Sequence, residues 1–488
     1  MGMGKYTKYL VLILVFALFL RLIFFTGADN SDSLAYYTYA HQVVDGKFTF
    51  TQNHFSSRIG LIYPQALIYG LFGVNDFTSN VLSLATSLAG IILIFYLGKL
   101  LFNEKIGLMA AFLLSFFPLD VIFSTRLLPD FPAAFFMALS VLLFLKGEKE
   151  NKNKYYFLCG LSWGISFLIK EISAVFALFF LTYAIYKRKL TKYYILILIG
   201  IVLLLLLEFW NASALTGNPF YRHTQIESEE VNYLMETYSN YFTPSGMVSR
   251  LFLQWPYFML HDIHYGLFFV FVFIALCYFF ANRKESSNIL LIWIIPLMAY
   301  LNFGTLSTKS YIPIPITAKF LSVIMFPSIL MLANFLGQEG KVLKKNIASS
   351  ILILLFFSSM GFIYLSDERT IINDVKESYN FLKNENKMIY ADERTKMVFD
   401  YLSGFENENK FNAFNKFDLF AKNEKNILTD LKDKHDAIVV VNYAMINGLP
   451  KLYRDIRFPE FATNPPRQWQ LVKEFGSGDK KILIYYVP

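Results

Sequence analysis

The chain has 488 residues, of which 55% are hydrophobic and only 17% are charged, and its mean hydropathy is +0.42. Soluble domains carry about 25% charged residues, so these values exclude an ordinary soluble protein and predict a polytopic α-helical membrane protein. The net charge of +8 does not indicate a nucleic-acid partner, because lysines that hold loops in the cytoplasm explain it.

Apolar runs long enough for membrane-spanning helices recur from the N-terminus to about residue 365. The first run has a charged start but no small-residue cleavage site after it, so we expect a retained first span and not a signal peptide. About eleven spans are predicted, at 8–25, 81–101, 106–119, 131–146, 155–169, 172–187, 193–210, 264–281, 287–303, 316–336 and 346–365.

Lysine and arginine residues occur in alternate loops, and these basic loops are short. Because short basic loops stay in the cytoplasm, the N-terminus is predicted to be cytoplasmic. The long connections 26–80 and 211–263 then lie on the extracytoplasmic side. Within the first, the aromatic stretch 34–44, "LAYYTYAHQVV", is expected to lie along the membrane interface.

From about residue 366 the composition becomes typical of a soluble domain. The runs "KMIYAD", "DAIVVVNYA" and "KILIYYV" predict strands, and "ERTKMVFDYLSGF" predicts a helix. We therefore expect two domains, a transmembrane domain at 1–365 and an extracytoplasmic α/β domain at 366–488.

Charged residues gather at the outer ends of the predicted spans, where burial near the membrane makes them costly. Residues such as Asp29 and Asp120, taken singly, are equally consistent with markers of the membrane interface. The Lys170–Glu171 dipeptide is different, because it interrupts about thirty apolar residues and indicates either a functional site or a structural ion pair. The set comprises Asp29, Asp32, Arg58, Asp120, Arg126, Asp130, Lys170, Glu171, Lys309 and Lys319.

Such a set suits group transfer from a phosphate-linked donor at a membrane surface. One carboxylate can take the proton of an acceptor hydroxyl, while lysine and arginine stabilise the charge on a departing phosphate. A second carboxylate can orient the acceptor or hold a divalent metal ion, which prefers oxygen ligands. No cofactor is required by the sequence, and the candidate metal ligands are Asp32 and Asp130. The two cysteines, Cys159 and Cys277, lie in apolar runs and supply no thiolate metal site.

Several motifs, in the right order, resemble lipid-linked-sugar glycosyltransferases of the GT-C type. "DSLAYY" resembles the first-loop signature of the protein O-mannosyltransferase and aminoarabinose-lipid A transferase superfamily. "RLLPDFPAAFFMALSVLLFL" is similar to a second conserved region, and "FLIKEISAV" to a buried lysine motif. "ALTGNPFYRH" and "AKFLSVIMFP" resemble weaker signatures, and the resemblance covers roughly residues 8–340.

The resemblance implies a GT-C fold of about 11–13 transmembrane helices and a role for individual residues. Asp32 matches the catalytic aspartate of the first loop, and Asp130 matches the aspartate of the second extracytoplasmic loop. Lys170 matches the lysine that contacts the donor phosphate, and Arg58 stands near a basic phosphate-binding residue. The candidate supporting residues are Asp29, Arg126, Glu171, Tyr36, Arg222 and Lys319.

Three positions depart from the family pattern. Ser33 stands where an acidic residue often follows the first aspartate, Glu171 where glycine commonly follows the lysine, and Ile59 where proline usually stands. These departures leave the choice between Asp29 and Asp32 open, and with it the acceptor class.

By resemblance, the implied reaction is a single displacement with inversion at a sugar carried by polyprenyl phosphate. The implied partners are that donor, membrane lipid, and an acceptor that is a lipid, a glycan or a protein. The side chains are expected to converge in one cavity open to the outer leaflet of a prokaryotic plasma membrane. The alternatives are a secondary transporter, although no repeat is visible, and an oligosaccharyltransferase-type GT-C enzyme, although the tail carries "RQWQ" and no WWD-like motif.

Overall fold

The structure of the chain is a computed structural model. It describes residues 4–28, 32–51, 54–224, 243–305, 311–338, 345–366, 369–407, 409–416, 427–429, 431, 434–452 and 457–488.

The part of the chain up to residue 366 is helical. Every predicted apolar run coincides with a helix, because an isolated strand would leave its backbone hydrogen bonds unmade in lipid. The helices are α1 (Lys5–Ile23), α2 (Asp32–Val44), α3 (Ile59–Phe72), α4 (Asp76–Leu101), α5 (Glu104–Ser115), α6 (Pro118–Phe123), α7 (Asp130–Glu150), α8 (Asn153–Ile169), α9 (Ala177–Lys187), α10 (Tyr194–Thr216), α11 (Pro244–Ser249), α12 (Trp255–His261), α13 (Phe268–Ala281), α14 (Glu285–Phe303), α15 (Ser322–Gly337) and α16 (Lys345–Leu365).

Within the described ranges, seven helices are long and apolar enough to cross a membrane. They are α1, α4, α7, α10, α14, α16 and the segment Ala318–Gly337, in which a 3₁₀ turn leads into α15. The other predicted runs form shorter helices, some joined by 3₁₀ turns. The prediction of a polytopic α-helical membrane protein is thus confirmed.

The connection between the first two predicted spans is not an open loop. The aromatic stretch forms α2, and the apolar segment 59–72 forms α3, a helix that the search for long runs did not predict. α3 has 14 residues and contains Pro64, so it falls short of the length expected for a span.

The chain divides into two compact units that do not follow chain order. Unit 1 contains Met1–Phe25, Ser57–Leu61 and Val81–Ser366. Unit 2 contains Thr26–Ser56, Ile62–Asn80 and Asp367–Pro488. Segments of the first extracytoplasmic connection therefore belong to the same compact unit as the C-terminal residues.

In unit 1, helices α7, α8 and α10 pack closely. The Ser162 hydroxyl donates to the Phe136 carbonyl at 2.8 Å, and the Ser166 hydroxyl donates to the Ala133 carbonyl at 2.8 Å. Such bonds join helices where lipid provides little hydrophobic driving force. α8 approaches α10 at Gly160, where a Cβ atom would lie 2.1 Å from the Ile197 carbonyl oxygen, so only glycine fits.

In unit 2, a six-stranded sheet of order β3-β2-β1-β4-β6-β5 carries the helices of the C-terminal segment. β2, β1 and β4 are parallel, whereas β3, β6 and β5 pair antiparallel with their neighbours. The elements are α17 (Arg369–Leu382), β1 (Met388–Asp392), α18 (Glu393–Leu402), β2 (Phe411–Lys416), β3 (Ile427–Leu428), β4 (Ala437–Asn442), α19 (Tyr443–Leu452), α20 (Glu460–Thr463), β5 (Gln470–Phe475) and β6 (Ile482–Val487).

The three predicted strands are β1, β4 and β6, and the predicted helix is α18. All three strands are largely buried, which is why their sequences are continuous apolar runs. β5 is solvent-exposed along most of its length at the edge of the sheet, and its sequence "QLVKEF" carries no apolar periodicity that could have predicted it.

Candidate functional site

A buried ion pair joins two of the residues predicted from the sequence. The Lys170 ammonium lies 2.5 Å from Asp130 Oδ1, and the two side chains are 8% and 3% exposed. Lys170 also stands over the Phe320 ring, 4.4 Å from its centroid. The carboxylate and the ring provide contacts that offset part of the hydration that the ammonium loses on burial.

The two members of this pair come from opposite ends of consecutive helices. Asp130 is the first residue of α7 and Lys170 directly follows α8, so the antiparallel helices bring both to the same end. An acid at a helix N-terminus and a base at a C-terminus also match the helix dipoles. The backbone of Lys170 is extended, with φ −150° and ψ 128°, and a 3₁₀ turn follows it. This break in the helix sends neighbouring side chains to different partners.

Glu171, the next residue, bridges two arginines. Its Oε1 accepts from Arg58 Nη2 at 2.8 Å, and its Oε2 accepts from Arg222 Nη2 at 3.0 Å. Both guanidinium groups are buried, with side chains 6% and 8% exposed, whereas the Glu171 side chain is 27% exposed. The carboxylate is therefore the most accessible member of the group.

Arg58 reaches Glu171 because the chain segment around Gly60 lies against the end of α8. A Cβ atom at position 60 would lie 2.8 Å from the Ile169 nitrogen and from the Leu168 carbonyl carbon. Any larger residue there would push the segment away and withdraw the Arg58 guanidinium.

Arg222 returns to the group through a tight turn after α10. The helix ends at Gly217 with φ +72°, a conformation that glycine adopts without strain. The Asn218 side chain then accepts from the Phe220 N–H at 3.0 Å and continues the turn. The Arg222 guanidinium donates to Glu208 of α10 at 3.0 Å and stands 4.9 Å over the Phe167 ring.

Arg126 and Lys319 occupy other positions in unit 1. Arg126 is buried, and its guanidinium stands 5.5 Å from the centroid of the Phe123 ring. Lys319 is half-buried in the short 3₁₀ segment Ala318–Leu321, next to the Phe320 ring that Lys170 covers.

Asp120, a member of the predicted outer set, belongs to a separate group of buried polar side chains. Its Oδ2 accepts from Arg21 Nη2 at 2.5 Å and from the Ser87 hydroxyl at 2.8 Å. Arg21 also donates to the Ala17 and Ser115 carbonyls, and the paired side chains are 0% and 2% exposed. Sequence reasoning did not single out Arg21, although a lone arginine inside the first apolar run was a signal that a buried partner exists.

Asp32 lies in unit 2. It is the first residue of α2, where the helix dipole favours a carboxylate, and it is half-buried. Tyr36, one turn later, is fully buried, and its ring centroid lies 5.6 Å from that of Phe55. Asp29 and Lys309, two members of the predicted outer set, lie outside the described residues.

The donor set for a metal ion is sparse. Among the residues that the structure describes, no group of three or more histidine, cysteine, aspartate and glutamate side chains lies together as a metal site. The predicted ligand Asp130 already has one oxygen against the Lys170 ammonium. A metal site at Asp32 and Asp130 therefore stays a prediction.

The family comparison concerns the central part of the chain. Residues 59–210 match the family model described as dolichyl-phosphate-mannose-protein mannosyltransferase. This segment contains Asp130, Lys170, Glu171 and Glu208. No curated protein sequence matches the chain.

The structural comparison extends over nearly the whole chain. The fold is similar to that of ArnT from Cupriavidus metallidurans in the apo state, with 11% identity, 99% of this chain and 98% of that chain covered, and a TM-score of 0.61. The chain therefore has the GT-C fold. For the ArnT structure bound to undecaprenyl phosphate, identity is 12%, coverage 98% of each chain, and TM-score 0.59. The fold is also similar to that of the oligosaccharyltransferase of Archaeoglobus fulgidus, with 13% identity, 90% of this chain and 69% of that chain covered, and a TM-score of 0.55.

These findings confirm the predicted resemblance and the predicted GT-C fold. They also confirm an integral membrane protein. Glu208, the partner of Arg222, was not predicted as a site residue, although a single glutamate within the apolar run 193–210 was a visible signal.

Proposed function

We propose that the chain is an inverting glycosyltransferase that transfers a sugar from a polyprenyl-phosphate-linked donor to an acceptor at the extracytoplasmic face. The family description names a dolichyl-phosphate sugar, and a structure with a similar fold binds undecaprenyl phosphate. The observation that carries the proposal is the group of buried cations at the break between α8 and α9.

In this group, Glu171 occupies the place that a donor phosphate would take. Its two oxygens engage two guanidinium forks, which is the geometry that phosphate oxygens also satisfy. Because the carboxylate is 27% exposed while the arginines are 6% and 8% exposed, an anion entering from the open side meets Glu171 first. The forks are thus held in position before the donor binds, so little ordering is needed on binding.

Lys170 complements the arginines. An ammonium has three donors, and Asp130 Oδ1 engages one of them, so the others remain to bind phosphate oxygens. In this proposal Asp130 acts on the reaction by orienting Lys170. Lys170 and Arg58 stabilise the negative charge that develops as the glycosidic bond breaks.

The reaction is a single displacement. The acceptor oxygen attacks the anomeric carbon, and its proton passes to the Asp32 carboxylate. The bond from the anomeric carbon to the phosphate oxygen breaks, and the electron pair leaves with the lipid phosphate. Inversion follows because attack and departure occur on opposite faces.

No step is assigned to a metal ion, since the carboxylates of the described residues do not form a ligand group. Transfer should therefore persist in excess chelator. Loss of transfer in chelator that added Mg²⁺ or Mn²⁺ restores would contradict this point and favour Asp32 as a ligand.

The proposed location is a prokaryotic plasma membrane with the N-terminus in the cytoplasm and residues 366–488 outside. Labelling of single cysteines tests this topology. In a chain with Cys277 replaced by serine, Lys284→Cys should label only after the membrane is opened, and Ser477→Cys should label in intact cells. Both positions are exposed, and the reverse pattern would overturn the topology.

The deciding experiment incubates the purified protein with a panel of radiolabelled polyprenyl-phosphate sugars and with lipid, glycan and peptide acceptors. We expect one donor to give labelled product with an inverted anomeric centre. Asp32→Asn should reduce that rate by about 10²–10⁴-fold, the usual contribution of a general base. An active Asp32→Asn variant would shift the assignment to Asp29, and a retained configuration would refute the single displacement.

A further inference from the structure

Asp76, the first residue of α4, joins the beginning of the first connection to the C-terminal segment within unit 2. The Lys376 ammonium of α17 lies 2.5 Å from Asp76 Oδ2. The Tyr401 hydroxyl of α18 lies 3.1 Å from Asp76 Oδ1, and the Ala28 N–H donates to the same oxygen at 3.2 Å. One carboxylate thus collects an ammonium, a phenol and a backbone amide from three distant parts of the sequence.

These contacts fix the backbone just before α2. Lys376 also donates to the Thr26 carbonyl at 3.3 Å, so both Thr26 and Ala28 are held by polar bonds. Ala28 is fully buried. The chain reaches Asp32 only four residues after Ala28, and each residue extends at most about 3.6 Å. The position of Ala28 therefore restricts where α2 begins.

Tyr401 contacts α2 as well as Asp76. Its ring stacks on Tyr37 of α2, with centroids 4.8 Å apart and planes at 22°. The Tyr37 hydroxyl donates to Asn80 Oδ1 of α4 at 2.6 Å. Further along α2, the His41 ring stacks on Phe405 at 4.5 Å. The C-terminal segment thus contacts α2 along one side and its preceding backbone at Asp76.

The stability of the fold does not explain this arrangement. The side chains of Lys376 and Asp76 are 20% and 30% exposed, and ion pairs so open to water contribute little to the stability of a fold. Their loss should leave a folded protein. What would change is the placement of the Thr26–Ala28 backbone, and with it the start of α2.

We propose that Asp76, Lys376 and Tyr401 are positioning residues that hold the start of α2 where the Asp32 carboxylate acts. The C-terminal segment then has a defined task, which is to place a catalytic group of the first connection. This inference rests on the proposed function, because it takes Asp32 as the acceptor-activating carboxylate.

The first test compares Lys376→Met with Lys383→Met in the full-length protein. Lys383 is exposed just beyond the end of α17, and its ammonium contacts Asn380, which makes it a matched control. Lys376→Met should lower kcat about tenfold, since a misplacement of about 1 Å can cost up to 10²-fold in rate. The donor KM should stay within about twofold and the unfolding midpoint close to that of the wild type, and Lys383→Met should change neither kcat nor KM.

The second test is a double-mutant cycle in kcat. Asp76→Asn keeps an oxygen for the Ala28 N–H but removes the charge that binds Lys376. If the residues act through one contact, the double variant Lys376→Met with Asp76→Asn should be no slower than Lys376→Met alone. Tyr401→Phe keeps the stack on Tyr37, removes the hydroxyl, and should give a smaller loss of kcat.

The outcomes separate this inference from the proposed function. Wild-type kcat in Lys376→Met, or losses that multiply in the double variant, would overturn the positioning role while leaving the transfer reaction intact. A large fall in the unfolding midpoint with unchanged kcat in the folded fraction would assign Lys376 to stability alone. If the wild-type protein transfers no sugar from any donor, both proposals fall.

Discussion

Two buried groups of charges in unit 1 use the same chemistry but differ in access to water. In the first, Asp120 and Arg21 are 2% and 0% exposed. In the second, Arg58 and Arg222 are 6% and 8% exposed, but the carboxylate between them, Glu171, is 27% exposed. A buried charge alone does not indicate a functional site. A ligand can reach such a group only where one of its side chains is accessible to solvent, as Glu171 is.

The partners explain the difference. Arg21 donates to Ser87, Asp120 and the Ala17 and Ser115 carbonyls, so the group joins α1, α4, α5 and α6 through side chains that are almost fully buried. The second group lies where α8 breaks and where the turn after α10 returns, and there the Glu171 side chain is 27% exposed. The Arg21–Asp120 group is therefore a structural ion pair that links helices, whereas the group around Glu171 is suited to binding an anion.

The largest expected effect is on stability, and it comes from Arg21→Met. This change leaves the Asp120 carboxylate buried without its cation, which typically costs about 3–5 kcal/mol. We expect a clearly lower unfolding midpoint in detergent, measured by tryptophan fluorescence, with the donor KM of the folded fraction unchanged. The double variant Arg21→Met with Asp120→Asn should recover much of the loss. A wild-type unfolding midpoint in Arg21→Met would contradict the structural role of the Arg21–Asp120 ion pair.

Lys170→Met should affect the reaction most. Removing a group that stabilises charge in the transition state lowers kcat by about 10²–10³-fold. The same change also leaves the buried Asp130 carboxylate without its cation, so the double variant Lys170→Met with Asp130→Asn is needed as the comparison. That double variant should regain stability but not transfer, as shown by melting and initial rates side by side. If the double variant recovers both sugar transfer and stability, the Lys170–Asp130 pair has a structural role like that of Arg21–Asp120.

Glu171→Gln distinguishes the two groups more finely. The amide keeps the shape and one acceptor oxygen but loses the charge that competes with phosphate for two arginines. The donor KM should therefore fall about three- to tenfold. Glu208→Gln is the matched control, because Glu208 also binds Arg222 but is 7% exposed. A donor KM that rises or stays constant in Glu171→Gln would contradict the exchange of carboxylate for phosphate.

Asp392 at the end of β1 is a buried carboxylate that caps a helix. Its substitution should have the smallest effect on stability of the changes considered. Its Oδ1 accepts from the Arg394 and Thr395 N–H groups of α18, while its Oδ2 has no hydrogen-bond partner among the described residues. Burial raises the pKa of this carboxyl above its ordinary value. The folded state then binds the proton more tightly than the unfolded state, so stability falls as pH rises from the unfolded pKa through the folded pKa.

Asp392→Asn should remove this dependence and keep the helix cap. We expect a slightly higher unfolding midpoint than wild type at neutral pH and no gain in acid, measured across a pH series on the full chain. A variant that is less stable at every pH would show that the charge itself supports the fold.

Much of the fold followed from the sequence because lipid restricts the choices. Every long apolar run became a helix, and three continuous apolar runs near the C-terminus became the buried strands β1, β4 and β6. Helix α3 was missed because it is too short for a span, and β5 because an exposed edge strand carries no apolar pattern.

The site was harder to predict because partners are set by tertiary distance. Lys170 and Glu171 stood out as charges in an apolar run, yet nothing local showed that Asp130 would meet one and two arginines the other. Arg21 and Asp120 are separated by 99 positions in the sequence, and Asp76 and Lys376 by 300. A charge that must have a buried partner can be recognised from sequence, whereas the identity of that partner cannot.

The interleaving of the two units has a consequence for synthesis at the ribosome. Residues 26–56 and 62–80 emerge early, but the segment with which they form unit 2 begins at Asp367, about 290 residues later. At about 5–20 residues per second, the early segments wait roughly 15–60 seconds before Lys376 and Tyr401 exist. During that interval Tyr37 and Asp76 lack these C-terminal partners. Truncated chains released before residue 367 are therefore expected to be targets for quality-control proteases at the membrane.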